Sequence, residues 1–378
     1  MKKKAMVLDL LMEDIASENL IDIKQDTIEQ VPLIYTHRHI EGGFVNFFYP
    51  KIQVRRYSNA IIHPLSDFII LEKGAVWNKS RQPQFTKVIP LDRNLVDSNR
   101  DRIYVKKPEQ IIDLKNAFSF CGVHSKTWSH FIVQYLPKIE YIQTIVNMIG
   151  GNITVVLPKY NDNHVRTIMY TLLKGVTGIL VMEIEDDQSV RCENLFHVEH
   201  TAMLSDHASY ISPSDIIIPE FALSVIKDKL VNNPAIFPNL IEAERNQYRR
   251  LFISRQGPRN LQNIAQVELF FKEQGFEIVS PDKMTLEEKR RVFSEASFIV
   301  GPHSSGFSNI IFCKPGVKAL VLTNFQRVYD LYLSTLANYF KIEIFAVTGW
   351  DSQPSYSHSD YYIPLNKIED KCKEIGIL

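Results

Sequence analysis

From residue 128 onward the apolar positions follow two alternating rhythms. Residues 131–136 have helical spacing with a stop or kink at Pro137, and a second helix runs to about Met148, where Gly150-Gly151 ends it. Residues 153–157 form an unbroken apolar run, as a strand buried on both faces requires. A helix over 164–173 and a strand over 178–182 follow. The C-terminal half repeats the rhythm more clearly. It reads as strand 251–254, helix 261–274 with Ile264, Val267 and Phe271 on one face and Gly275 as its cap, then strand 276–279. Next come helix 286–296 with Leu286, Phe293 and Ala296 on one face, strand 297–300, loop 301–308 and a short helix to about Cys313. After Pro315-Gly316 there are strand 319–322, helix 328–340 (Tyr329, Tyr332, Leu333, Leu336 and Phe340) and strand 342–346. Alternation of apolar strands with amphipathic helices predicts a doubly wound parallel sheet, because right-handed crossovers place helices on both faces.

The first 120 residues read as an irregular β-rich opening, with short runs at 44–49, 60–62 and 68–71 punctuated by Gly42-Gly43 and several prolines. No internal repeat is visible. Prolines and Asn232-Asn233-Pro234 mark residues 211–240 as the linker, which divides the chain into domains 1–220 and 221–378.

Composition narrows the function classes. The 378 residues are 45% hydrophobic and 23% charged, enough apolar material for two globular domains. The formal charge is zero and the pI about 7.2, so a general electrostatic grip on nucleic acid is not expected. The four cysteines are far apart and form no metal-ligand spacing, which suits reduced, buried thiols. Lys2-Lys3-Lys4 is followed by Asp9, Glu13 and Asp14, charges a secretory leader would lack, and no apolar run is long enough to cross a membrane. A cytoplasmic location is therefore expected, with room for peripheral contact with the membrane.

Ligands of open parallel sheets bind beyond the carboxyl ends of the strands. Two loops at such ends carry chemistry. Arg255-Gln-Gly-Pro-Arg259 precedes Asn263 on the next helical turn, and Gly301-Pro-His303-Ser304-Ser305-Gly306-Phe-Ser308-Asn309 opens a short helix. Guanidinium, imidazole, hydroxyls and small residues beside a helix start suit a diphosphate. Negative charge grows on that group when a sugar–oxygen bond breaks. Other motifs fail. A GxGxxG after the first C-terminal strand and a P-loop are missing, and Pro302 stands where a hydrolase elbow around Ser304 would need glycine. Asp186-Asp187 lies in a charged run and reads as a solvated turn rather than a metal site. In the N-terminal half, Trp128-Ser129-His130 opens a helix. His130 is the leading candidate for a general base; His124, Asp206 and His207 are further candidates.

These residues together resemble glycosyltransferase family 61. The matching stretches are Leu251 to Arg255, Arg259 with Asn263, Gly275 to Val279, Leu286 to Ala296, Ile299 to His303, Gly306 with Asn309, Phe312 to Gly316, and, earlier, Trp128 to Pro137. The resemblance implies a GT-B fold of two Rossmann-like parallel-sheet domains facing a central cleft. It also implies an inverting reaction, a nucleotide-sugar donor (often a uridine diphosphate sugar) and no required metal or other cofactor. Arg255, Arg259 and His303 would contact the donor phosphates, supported by Asn263, Ser304, Ser305, Gly306 and Asn309. The chain departs from the family pattern in places. His303-Ser304-Ser305-Gly306 stands where His-Gly-Ala-Gly is usual, Ile264 and Lys289 where Glu and Gln are common, Val321 where a Glu is common, and Gln134 where Asp or Glu often follows the histidine by four. The expected function is sugar transfer to a glycan hydroxyl in surface polysaccharide biosynthesis, with a glycan or lipid-linked glycan as acceptor. The alternatives are a catalytically degenerate nucleotide-sugar-binding or assembly protein of the same fold, and a different α/β enzyme such as a dehydrogenase or hydrolase. Oligomeric state leaves no signature in the sequence.

Overall fold

The structure, a computed structural model, describes residues 5–11, 17–24, 27–32, 35–36, 44–49, 52–77, 92, 95–98, 102–160, 163–199, 201–204, 216–238, 248–255, 260–325, 327, 331–351 and 359–378. It is a mixed α/β protein with parallel sheet segments. Its chain divides into two units, the first made of Met1–Thr27, Phe48–Asp206 and Ser224–Leu230, the second of Ile28–Phe47, His207–Leu223 and Val231–Leu378.

In the first unit the strands that matter are β1 (Ile52–Ile62), β2 (Gln110–Ser119), β3 (Ile153–Pro158), β4 (Ile179–Ile184) and β5 (Gln188–Val198). They lie side by side in the order β4-β3-β2-β5-β1. The first four are mutually parallel, with Ile153 opposite Ile179, Ala117 opposite Thr154 and Leu114 opposite Cys192. Helical crossovers link the first three in the chain, whereas only residues 185–187 separate β4 from β5. Residues 128–149 connect β2 to β3, and helix α2 (Asn163–Leu173), which follows α1 (Ile142–Ile149), connects β3 to β4. The expected purely parallel sheet ends at β5. There β1 runs antiparallel, with Leu195 opposite Tyr57, and continues through a short turn into Phe68–Leu71, a connection that only antiparallel strands allow. Tyr57, Ala60, Ile62, Ala117, Val156, Ile184, Val190 and Leu195 share one core over this junction. The crossover at 128–149 also differs from the two simple helices expected. It runs as a short α turn (Trp128–His130), a π turn (Phe131–Tyr135), a 3-10 stretch (Leu136–Tyr141) and then α1. Pro137 lies at the start of the 3-10 stretch, where a missing N–H is tolerated, instead of ending the helix. Phe131 through Ile139 are all buried, so no face of this segment is left to solvent.

The second unit follows the expected rhythm closely. Its strands are β6 (Arg249–Ile253), β7 (Glu277–Val279), β8 (Ala296–Pro302), β9 (Lys318–Asn324), β10 (Glu343–Asp351) and β11 (Tyr361–Tyr362), in the order β7-β6-β8-β9-β10-β11. The first five are parallel; β11 returns antiparallel, with Trp350 opposite Tyr362. Helices α3 (Ile264–Glu273), α4 (Leu286–Ser294), α5 (Leu331–Phe340) and α6 (Leu365–Glu374) accompany the sheet. Helix α3 starts three residues later than its apolar spacing suggests. Leu261 bridges to Tyr361 and Asn263 becomes the N-cap position. Thr285 and Glu288 form a reciprocal capping box that starts α4, satisfying amides the helix cannot bond itself. Phe271, fully buried, lies 5.2, 5.1 and 4.9 Å from the ring centres of Phe252, Phe270 and Phe276, and so ties α3 to the sheet.

Candidate functional site

Phe252 of β6 lies opposite Val300 of β8, so the two parallel strands finish at the same edge of the sheet. Arg255 leaves β6 two residues past its end, and His303 leaves β8 one residue past its end. The loops meet. Arg255 Nη1 donates to the carbonyl oxygen of His303 over 2.6 Å. His303 N donates 2.8 Å to the carbonyl of Leu322 on β9, and Tyr361 Oη donates 2.8 Å to that same oxygen. The approach of the strands depends on glycine. A Cβ on Gly301 would stand 2.5 Å from the carbonyl oxygen of Ile253 and 3.0 Å from its Cβ. One on Gly306 would stand 3.0 Å from Ile253 Cγ2 and 3.2 Å from Ser304 Oγ.

After His303 the chain is extended at Ser304 and then winds into a 3-10 helix, Ser305–Phe312, whose first intrahelical bond runs from Phe307 N to Ser304 O. The amides of Ser305 and Gly306 therefore precede the ladder, in the position that attracts anions. The helix is tighter than an α-helix and starts inside the stretch 301–308 expected as loop, at Ser305, ending at Phe312 where about Cys313 was expected. Ser304 is buried and Ser305 exposed. Asn309 folds its Nδ2 back to the Gly306 carbonyl at 2.8 Å, and Tyr332 Oη donates to Ser308 Oγ at 2.9 Å. Ser304 Oγ, Asn309 Oδ1 and Thr323 Oγ1 are buried and have no hydrogen-bond partner among the described residues. Pro302 lies opposite Leu322, so Ser304 follows the end of β8 while Thr323 belongs to the end of the neighbouring β9; Asn309 lies on the 3-10 helix that follows. A buried polar atom left unsatisfied costs about 1–3 kcal/mol, so each of these groups is suited to a polar partner.

Asn263 stands at the N-cap position of α3 without a side-chain capping bond and donates from Nδ2 to the Ile363 carbonyl at 2.9 Å, which makes it part of the seam to β11; its Oδ1 has no partner among the described residues. Arg259 lies outside the described residues, as do Asp206 and His207. Thr323, Tyr361 and Asp351 lie at neighbouring strand ends without having stood out in the sequence. Each is an ordinary residue at a strand end, and only the register shows what it faces. Burial raises the carboxyl pKa of Asp351 above the usual range, and its Oδ1 likewise has no partner among the described residues.

In the first unit, His130 is half-buried. Its Nδ1 lies 2.8 Å from Gln134 Oε1, and its ring stacks on His124 with centres 4.1 Å apart and planes at 25°. Gln134 Nε2 donates 3.0 Å to the carbonyl of Ala202, and Thr201 Oγ1 donates 2.7 Å to that of Val133. Asp186 pairs with Lys126 at 2.5 Å in an exposed turn. Among the described residues no group of three or more His, Cys, Asp or Glu side chains is arranged to hold a metal ion, and no helix is long and apolar enough to cross a membrane.

A search of curated proteins gives no match. The family model described as Glycosyltransferase 61 matches residues 128–320. That span begins at Trp128, includes His130 and Gln134, and takes in Arg255, Asn263 and the whole 303–309 loop. It covers a little over half of the sequence, and the chain belongs to glycosyltransferase family 61.

Proposed function

We propose that the protein is an inverting, metal-independent glycosyltransferase of the two-domain GT-B class. It moves a sugar from a nucleoside diphosphate donor, a uridine diphosphate sugar, to a glycan hydroxyl in surface polysaccharide biosynthesis. The observation that carries this reading is the bond from Arg255 to the His303 carbonyl, which joins the loops at the ends of β6 and β8; Ser304, which follows His303, has a buried hydroxyl without a protein partner among the described residues. The guanidinium, the His303 imidazole and the amides of Ser305 and Gly306 supply positive charge and donors for a diphosphate, with Arg259 as a further ligand. The hydroxyls of Ser304 and Ser305 add bonds where smaller residues would offer backbone alone. Asp351 is suited to accept from the ribose hydroxyls.

In the transfer, His130 takes the proton of the acceptor hydroxyl. The acceptor oxygen attacks the anomeric carbon from the face opposite the diphosphate. The bond from that carbon to the phosphate oxygen breaks, and its electron pair leaves with the uridine diphosphate, so the configuration inverts. The acceptor is a glycan or a lipid-linked glycan, met in the cytoplasm or at the inner face of the membrane.

A thermal-shift screen in the presence of EDTA tests this reading. Uridine diphosphate at about a hundred times its Kd should stabilise the donor-binding domain by about 2.7 kcal/mol, which raises the Tm of that domain by roughly 5–10 °C. A shift from a nicotinamide dinucleotide, with none from any nucleoside diphosphate, would overturn it.

A further inference from the structure

We propose that Gln134 is a positioning residue that fixes the imidazole of His130 as the Nδ1–H tautomer, so that Nε2 carries the lone pair that receives the acceptor proton. The second half of this statement rests on His130 acting as the base.

Hydrogen-bond polarity sets the tautomer. The carbonyl oxygen of Ala202 can only accept, so the end of the Gln134 amide 3.0 Å from it must be the NH2 group. The other end, Oε1, then faces His130 and can itself only accept. At 2.8 Å from that oxygen, Nδ1 must carry a proton. In a neutral imidazole the proton on one nitrogen leaves the other as an acceptor. The amide has no freedom to reverse this, since Gln134 is 1% exposed and is held by the carbonyl it serves.

The surroundings hold the pair in place. Residues 201 and 202 bind two successive residues of the π turn, Thr201 Oγ1 to the Val133 carbonyl and Ala202 O from the Gln134 side chain. The π turn, Phe131–Tyr135, sets the spacing between the imidazole and the amide and is itself an energetically uncommon conformation that functional sites often retain. His124 stacks on the imidazole with centres 4.1 Å apart, which restrains the ring plane as Gln134 restrains its protonation. A glutamine does this without charge. It selects the tautomer as a carboxylate would, but adds no anion beside the base.

Nitrogen-15 correlation spectra of the histidine rings in the full chain test the proposal, with His130→Asn identifying the signals. The wild-type His130 in its neutral form should show a protonated Nδ1 and an unprotonated Nε2. Gln134→Glu keeps an acceptor at the same reach and should keep that signature. Gln134→Met has the length without an acceptor and should lose it in favour of the Nε2–H tautomer. Turnover is read as release of uridine diphosphate from UDP-hexoses and UDP-N-acetylhexosamines. It should fall at least about tenfold in kcat in Gln134→Met, with donor KM unchanged, and be retained in Gln134→Glu. A wild-type His130 protonated at Nε2, or a Gln134→Met variant with the wild-type signature, overturns the role of Gln134. A tautomer that switches as expected while kcat stays unchanged upholds that role and removes His130 as the base.

Discussion

Arg255 Nη1 is held 2.6 Å from the carbonyl oxygen of His303, 48 residues further along the chain. The bond joins the loops that leave two neighbouring parallel strands, and it fixes the guanidinium before any ligand arrives. A preformed cation at a strand-end edge loses little freedom on binding an anion, which is the advantage of arginine's planar fork over a lysine. Arg255→Lys keeps the charge and gives up the fork. Its affinity for uridine diphosphate, measured by calorimetry, should fall about tenfold, in line with the 1.5–3 kcal/mol of a charged hydrogen bond. Wild-type affinity in the lysine variant would mean that charge alone suffices there.

Gly301→Ala tests the architecture under the same edge. The new methyl would meet the Ile253 carbonyl oxygen at 2.5 Å, and both residues belong to neighbouring strands of the sheet, whose backbone has little room to move. Overpacking of this kind costs about 1–3 kcal/mol. Urea denaturation should show that loss, and uridine diphosphate binding should weaken with it because the strands that release Arg255 and His303 are pushed apart. A variant with unchanged stability would show that the close approach at Ile253 is relaxed in solution.

Lys138 gives a prediction with a pH sign. It is fully buried, its Nζ has no hydrogen-bond partner among the described residues, and it sits 5.1 Å from the centre of the Tyr135 ring. Burial lowers its pKa to about 8, with Asp67, Cys121 and Glu199 pulling weakly the other way. The unfolded chain keeps this proton to near pH 10, whereas the folded chain releases it near 8. Below pH 8 the folded state therefore bears the whole cost of a buried ammonium, and the cost fades as the pH rises toward 10. Lys138→Met should be more stable than wild type by about 3 kcal/mol at pH 7, an advantage that shrinks nearly to zero by about pH 10. Equal stabilities at pH 7 in urea titrations would refute the assignment.

What the sequence disclosed, and what it hid, follows from how far each signal reaches along the chain. The alternation between residues 249 and 351 was readable because the central strands β8 and β9 are largely buried on both faces and helices such as α3 carry their own apolar stripe, with Val267 and Phe271 inward. Strand β2 was not readable. Its first half alternates exposed and half-buried positions around Asp113 and Lys115, and its partner β5 lies 78 residues away. Helix α6 escaped notice because only Ile368 and Cys372 of its apolar residues are fully buried, too short a stripe to stand out among its charges. The loops of Arg255 and His303 could be assigned to one edge in advance, since parallel order alone puts them there. Gln134 stood out only as a departure from the family pattern; its meaning depends on the Ala202 carbonyl, 68 residues on, which no local pattern predicts.

The proposed function requires a diphosphate to bind where β6 and β8 end. Calorimetric titration of uridine diphosphate into wild type and His303→Ala, both in EDTA, tests this most directly. The imidazole and the Arg255-bound carbonyl belong to the same residue, so the alanine variant keeps the backbone bond and removes only the side chain. Binding by the wild type and a Kd weakened by about tenfold or more in His303→Ala is the predicted result. An affinity unchanged by the substitution would contradict the claim.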